Sequence, residues 1–336
     1  MPMHTIALLT STGAARIDQA LRESIALIEQ QLPDRVRGYY LVGSYAYGEA
    51  QPASDIDLIV VLKDELGQAD RQRFAAARAE CERISLLPLD LTLDSESKFL
   101  RVGGVWFQTA SLLVYGEDIR PRIPRKPVVN HIRDLMHAMF PLLTRVRGNS
   151  ALLTFPLSYP DPTGILYGYD TRYSGSNDPQ RTCTKDLVTN VLAAANALTL
   201  LTAQRYVGSG KKSDIPRQYA IWIGDEWATL IEEVVELCRI RWGYRMPEAE
   251  ADIAHLRGLC QQALGFENAF LQRYRDFLLA DLQSDHVAAQ LFALQRFGQI
   301  LYPDPAVAAA VADLAAHASA ELQPAAATIL QHYKQF

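Results

Sequence analysis

Cysteine is scarce in this sequence, and its copies are scattered. Cys81, Cys183, Cys238 and Cys260 form no C-x-x-C pair, so neither a zinc knuckle nor a disulfide framework is encoded, and buried reduced thiols are expected. Excess charge is also small. The 33 Lys and Arg against 38 Asp and Glu leave a formal net charge of −5. That excludes the broad basic surface of a non-specific nucleic-acid binder, though not a local basic groove. No apolar run approaches the roughly 20 residues that a bilayer-spanning helix needs. Residues 6–10 are too short, and lack the basic flank, for a signal peptide. A cytoplasmic protein with no membrane partner is the expectation. None of the seven histidines has metal-ligand spacing, and His131 and His137 are expected to be solvated or capping. Absent too are a G-x-S-x-G elbow, a G-x-x-x-x-G-K-[ST] loop and a dinucleotide fingerprint; "GSGKKSD" at 208–214 lacks the spacing and preceding strand of a phosphate loop.

What is present is an ordinary globular composition, 49% hydrophobic and 21% charged over 336 residues, long enough for two cores. Ile17, Leu21, Ile25, Ile28 and Leu32 recur at helical spacing before Pro33. Strands are then expected at 38–43, 55–62, 88–97 and 109–119, with a helix at 68–84. A Pro- and Arg-rich stretch, "RPRIPRKP" at 120–127, precedes segments that read as helical at about 130–148, 180–207, 226–242, 251–283, 286–300 and 304–334. The fold class expected is α+β: a small mixed-sheet domain over 1–125 followed by an all-α domain over 126–336. Residues 154–179 break the helical pattern with four prolines, three glycines and four tyrosines in 26 residues. They are read either as a surface connection or as an ordered loop near a site.

The densest chemistry lies in "LVGSYAYGEAQPASDIDLIVVL", residues 41–62. On a strand, Asp55 and Asp57 project to one face while Ile56, Leu58, Val60 and Leu62 pack on the other. Two carboxylates so close repel and raise each other's pKa unless a cation lies between them, and hard Mg²⁺ takes one or two carboxylates together with phosphate oxygens. In "LDLTLD" at 89–94, period two sets Asp90, Thr92 and Asp94 on one face. If that strand lies beside 55–62, Asp90 joins the pair in a three-acid arrangement suited to two-metal phosphoryl-type transfer. Asp90 is preferred because Asp94 runs into the polar Ser-Glu-Ser. Gly43-Ser44, at the end of the preceding strand, would aim backbone N–H groups and a hydroxyl at an anion.

A hydrophobic residue, Gly-Ser, ten intervening residues and Asp-hydrophobic-Asp-hydrophobic, here "LVGS" and "DIDL", resembles the signature of the polymerase-β-like nucleotidyltransferases over about residues 37–119. The resemblance implies that Gly43 and Ser44 contact nucleotide phosphates, that Asp55 and Asp57 bind Mg²⁺, and that Asp90 is the third acid or the general base for an acceptor hydroxyl. A minimal catalytic domain before a helical one resembles the aminoglycoside (streptomycin/spectinomycin) adenylyltransferases, and residues 190–223 are similar to their second-domain helix, Gly-Lys turn and Trp-bearing helix. That likeness makes Lys211, Lys212 and Arg217 candidates for the triphosphate, with a solvated loop as the alternative for the two lysines. Lys185 and Asp186 suit either the cleft or a surface helix pair. The extra C-terminal helices and the 154–179 segment depart from those enzymes.

The expected activity is transfer of a nucleoside monophosphate, AMP from ATP, to a small-molecule hydroxyl, with pyrophosphate released. Asp161, Tyr167, Asp170, Asp178 and Trp222 are available to an aminoglycoside-like acceptor. A tRNA or protein acceptor is the alternative, with 120–126 the only dense basic run for a tRNA. A catalytically inactive nucleotide-binding sensor is a further one.

Overall fold

The apolar residues that alternate along the N-terminal strands build a sheet with two covered faces. The computed structural model describes residues 6–51, 54–172, 182–208, 211–317 and 322–333. Helix α1 (Ala15–Gln31) leads into β1 (Val36–Val42), the short helix α2 (Gly43–Tyr47), β2 (Ile56–Leu62), α3 (Gln68–Ile84) and β3 (Leu89–Ser95). Helices α4 (Glu96–Val102) and α5 (Val105–Ala110) then precede β4 (Leu112–Gly116). The sheet order is β3-β2-β1-β4. β1 is antiparallel to β2 and β4, and β2 is parallel to β3. The N-terminal half is thus a mixed sheet of four strands.

Period two decides which residues meet which helices. Leu41, Leu58, Val60 and Leu62 pack under α1 and α3 against Leu21, Ile25, Ile28 and Phe74. Tyr40, Val42, Ile59 and Val61 face the other way, onto Phe107, Ile119 and Ile123. Asp57 has the parity of Ile59 and Val61, so it stands on the α5 side of the sheet, at its end. The fourth strand is shorter than its sequence suggests. Phe107 and Ala110 bury one face of α5, and this packing draws 105–110 into a helix despite the β-branched residues around it.

The rest of the chain is mainly helical, with α6 (Val128–Val146), α7 (Lys185–Ala203), α8 (Ile215–Trp222) and α9 (Ala228–Glu233). A π-helix, Val234–Arg241, continues α9. The 33-residue α10 (Glu250–Leu282), α11 (Val287–Phe297), α12 (Pro305–His317) and α13 (Gln323–Tyr333) follow. The segment read as helical at 304–334 holds α12 and α13. A second core, separate from the sheet's, runs from Ile132 to Tyr333. Its centre is α7, where Ala194, Ala195 and Ala197 are fully buried and let α6 and α10 approach closely. Among the described residues α7 is the one helix long and apolar enough to cross a membrane by length and composition, and 61% of that stretch is buried inside the fold. All four cysteines are buried, reduced thiols.

His137 corrects the sequence reading: it is buried in the helical core, not solvated or capping. Its Nδ1 lies 2.6 Å from the Tyr274 hydroxyl and its ring stacks on Phe292 at 3.8 Å. Burial, with Arg296 and Arg133 nearby, pushes its pKa down to about 3. The described part of the tyrosine-rich segment, 154–172, packs on α10. Tyr159 stacks on Tyr167, whose hydroxyl accepts hydrogen bonds from Arg257 and Gln261. Tyr169 donates to Glu267, a fully buried carboxylate that also pairs with Arg147 at 2.6 Å. The tyrosines of 154–172 thus anchor this segment to the core. Asp178 lies outside the described residues.

Candidate active site

Where β1 ends, the chain turns into α2 instead of a simple loop. The first N–H groups of any helix lack intrahelical partners, and here Gly43 and Ser44 bring them to the wall of a cavity of about 160 Å³. Gly43 has φ +67, and a Cβ built on it would stand 2.1 Å from Oδ2 of Asp57. Only glycine serves at this position, for both backbone and contact reasons. The helix closes at Gly48 (φ 70), and the Glu49 N–H donates to the Ser44 carbonyl at 2.8 Å. Ser54, just before β2, accepts from the Gln51 N–H through its hydroxyl, which fixes the approach to Asp55.

Asp55 and Asp57 both line the cavity, and Asp90 lies directly across β3 in register with Asp57. Residues opposite one another on neighbouring strands share a face, so the three acids lie on one side of the sheet. Burial, then the charges of Asp55 and Asp90, pushes the Asp57 carboxyl up to about 7, with Lys185 and Lys212 opposing. Such a carboxylate group is short of positive charge, which suits a hard divalent cation. Among the described residues no three His, Cys, Asp or Glu side chains converge closely enough to hold an ion. Asp90, which is exposed, stands beside the pair and does not close a three-acid centre with it. Asp94 is occupied by Lys98 at 2.6 Å.

Cations arrive from the helical half. Lys185, the first residue of α7, places its Nζ 2.7 Å from Asp55 Oδ2. Burial is the largest single influence and opposes its charge, but the hydrogen bond to Asp55 and the charges of Asp55 and Asp57 together outweigh it and its pKa is raised. The Lys185–Asp186 pair thus divides: Lys185 faces the cleft, while Asp186 pairs with Arg145. Lys212 lines the cavity beside Tyr244, its pKa lowered by burial and then by Lys185 and Arg239. Lys211 lines a separate small pocket with Asn196, Asp214 and Gln218, and Arg217 is exposed and lines neither. Of the three cations expected from sequence, one reaches the cavity.

The remaining lining residues are Tyr47, Glu49, Ser54, Trp106, Arg239 and Tyr244, none singled out by sequence. The Tyr47 hydroxyl is buried with no hydrogen-bond partner among the described residues. Of the acceptor candidates, Asp161 caps its own turn through Thr163, Tyr167 is engaged on α10, and Trp222 lies under Arg205 at 4.5 Å. None of these three, nor Asp170, lines the cavity. In the basic run at 120–126, Arg120 pairs with Asp118, Arg122 with Glu96 and Lys126 with Asp134, and Arg125 lies over Tyr206. Those four charges are engaged within the fold.

Residues 21–115, from within α1 to β4, match the family model of a nucleotidyltransferase domain. This match and the Gly-Ser and Asp-x-Asp geometry define the class of the protein: it is an enzyme of the nucleotidyltransferase type. No curated protein matches the chain. A solved structure of spectinomycin adenyltransferase AAD(9) from Enterococcus faecialis, with ATP and spectinomycin, is similar over 72% of this chain and 98% of that one, at 13% identity and TM-score 0.44.

Proposed function

We propose that this enzyme transfers AMP from ATP to a hydroxyl of a small, aminoglycoside-like molecule and releases pyrophosphate. The observation that carries the proposal is the meeting of Gly43, Ser44, Asp55 and Asp57 with Lys185 and Lys212 in one cavity. Acids on the sheet face cations from the helices, an arrangement suited to a metal-bound triphosphate. The domain division expected from sequence, near residue 125, would make this cavity a cleft between a catalytic sheet and a helical acceptor wall.

Asp55 and Asp57 would hold Mg²⁺, which when bound supplies charge neutralisation at the phosphates. Lys185 and Lys212 carry positive charge to the same place, where a partly buried ammonium interacts more strongly than in water. The α2 N-terminus offers N–H groups to a phosphate oxygen. Asp90, exposed beside the pair, would take the proton from the acceptor hydroxyl as its oxygen bonds to the α-phosphorus. The bond from that phosphorus to the bridging oxygen then breaks, and pyrophosphate departs.

The test is pyrophosphate release from ATP, GTP, CTP and UTP with Mg²⁺, in the presence of pooled aminoglycosides, tRNA or the protein itself. Release that depends on an aminoglycoside and is lost in Asp57→Asn supports the proposal. Release that depends on tRNA or protein moves the acceptor class, and triphosphate binding without turnover favours a sensor.

A further inference from the structure

Among the described residues, two ion pairs join the halves of the molecule at the cavity. One, Asp55–Lys185, belongs to the reacting centre. The other does not. Glu49 follows α2 on the catalytic side, and Arg239 of the π-helix donates to its backbone carbonyl at 3.0 Å and to its carboxylate at 3.1 Å. Ser213 donates to the other carboxylate oxygen. Arg239 is only 3% exposed, and its Nε donates to the Tyr244 hydroxyl at 3.1 Å. Tyr244 in turn accepts, through its carbonyl, the N–H of Thr184, the residue just before α7. A continuous path thus runs from Glu49 through Arg239, Tyr244 and Thr184 to Lys185.

From this we infer that the Glu49–Arg239 bridge is the positioning contact that sets how the two halves close on the triphosphate. The inference rests on the function proposed above. The Glu49 N–H is bonded to Ser44, so whatever fixes Glu49 fixes the phosphate-facing turn. The other end of the path fixes the start of α7 and with it Lys185. A metal-bound triphosphate would compete with Lys185 for Asp55, but the Glu49–Arg239 contact needs no rearrangement and holds the closed geometry through that exchange. The π-helix supplies the reach. Its Trp242 N–H bonds back five residues to Leu237, and such wide turns recur where a helix must aim a side chain at a functional site.

Glu49→Gln keeps the side chain's shape and the backbone contact but removes the charge. Hydrogen exchange on the free enzyme reads the bridge without any substrate: amides of 43–49 and 239–245 should exchange faster, while those of β2 and α10 stay protected. In steady state the KM for ATP should rise roughly tenfold, the loss expected for one charge-assisted hydrogen bond, with kcat within about twofold of wild type. The exchanged pair, Glu49→Arg with Arg239→Glu, should recover part of the KM. An unchanged or lower KM, or unchanged exchange at 43–49, overturns the inference. Asp57→Asn, assayed alongside, separates the two ideas: if it stays fully active, the proposed function fails whatever Glu49→Gln does.

Discussion

Replacing Gly43 by alanine tests the turn at the end of β1 with a single methyl group. The added Cβ would lie 2.1 Å from Asp57 Oδ2 and 3.0 Å from its Cγ. An ordinary carbon–oxygen contact is about 3.2 Å or more, so the carboxylate must shift by about 1 Å. The φ of +67 adds about 1 kcal/mol of backbone cost for any residue with a Cβ. Misplacement by about 1 Å at a reacting centre costs on the order of 10²-fold in rate. The stability loss should be about 1–3 kcal/mol, because Asp57 lies at the open end of its strand and can swing aside. Gly43→Ala is therefore expected to melt a few degrees below wild type, yet release pyrophosphate about a hundredfold more slowly. Activity within threefold of wild type would refute the close packing of Gly43 on Asp57 as a catalytic requirement.

Other outcomes follow from the same geometry. Lys185→Ala removes the ammonium 2.7 Å from Asp55 and should lower kcat/KM for ATP roughly 10- to 100-fold; a loss under twofold would place the triphosphate elsewhere. His137 is held well below its ordinary pKa, at about 3. The unfolded chain then binds a proton below pH 6.5 that the folded chain refuses, so stability is full above pH 6.5 and falls toward pH 3. The loss from this one group is about 2 kcal/mol by pH 5. Urea melts should therefore show a slope between pH 6.5 and 5 that His137→Gln lacks, and equal slopes would contradict the burial of a neutral imidazole.

The catalytic sheet was legible because its signals are local. Period two along 56–62 and 89–94 fixed which residues share a face, and the register that sets Asp90 opposite Asp57 follows once those strands are neighbours. Gly43 and Ser44 could be placed from the strand that precedes them. The cations were harder to read. Lys212 and Lys211 adjoin in sequence, yet one lines the cavity and the other a separate pocket, a difference set by the tertiary path of a short 3₁₀ turn. Lys185 could be narrowed only to two alternatives, since the start of a helix does not reveal what it faces. Arg239 and Glu49 carried no local signal at all: they are 190 residues apart, and the π-helix has no sequence signature that period analysis detects. His137 was misread because polarity argued for solvent, whereas the partners that compensate its burial, Tyr274 and Phe292, lie far along the chain.

The most direct test of the central claim is the mass of the acceptor after incubation with ATP and Mg²⁺. An aminoglycoside hydroxyl should gain one adenosine monophosphate, with one pyrophosphate released per product, and Asp55→Asn and Asp57→Asn should abolish both. Product formation that survives both substitutions, or an acceptor that gains a phosphate in place of AMP, would contradict the claim.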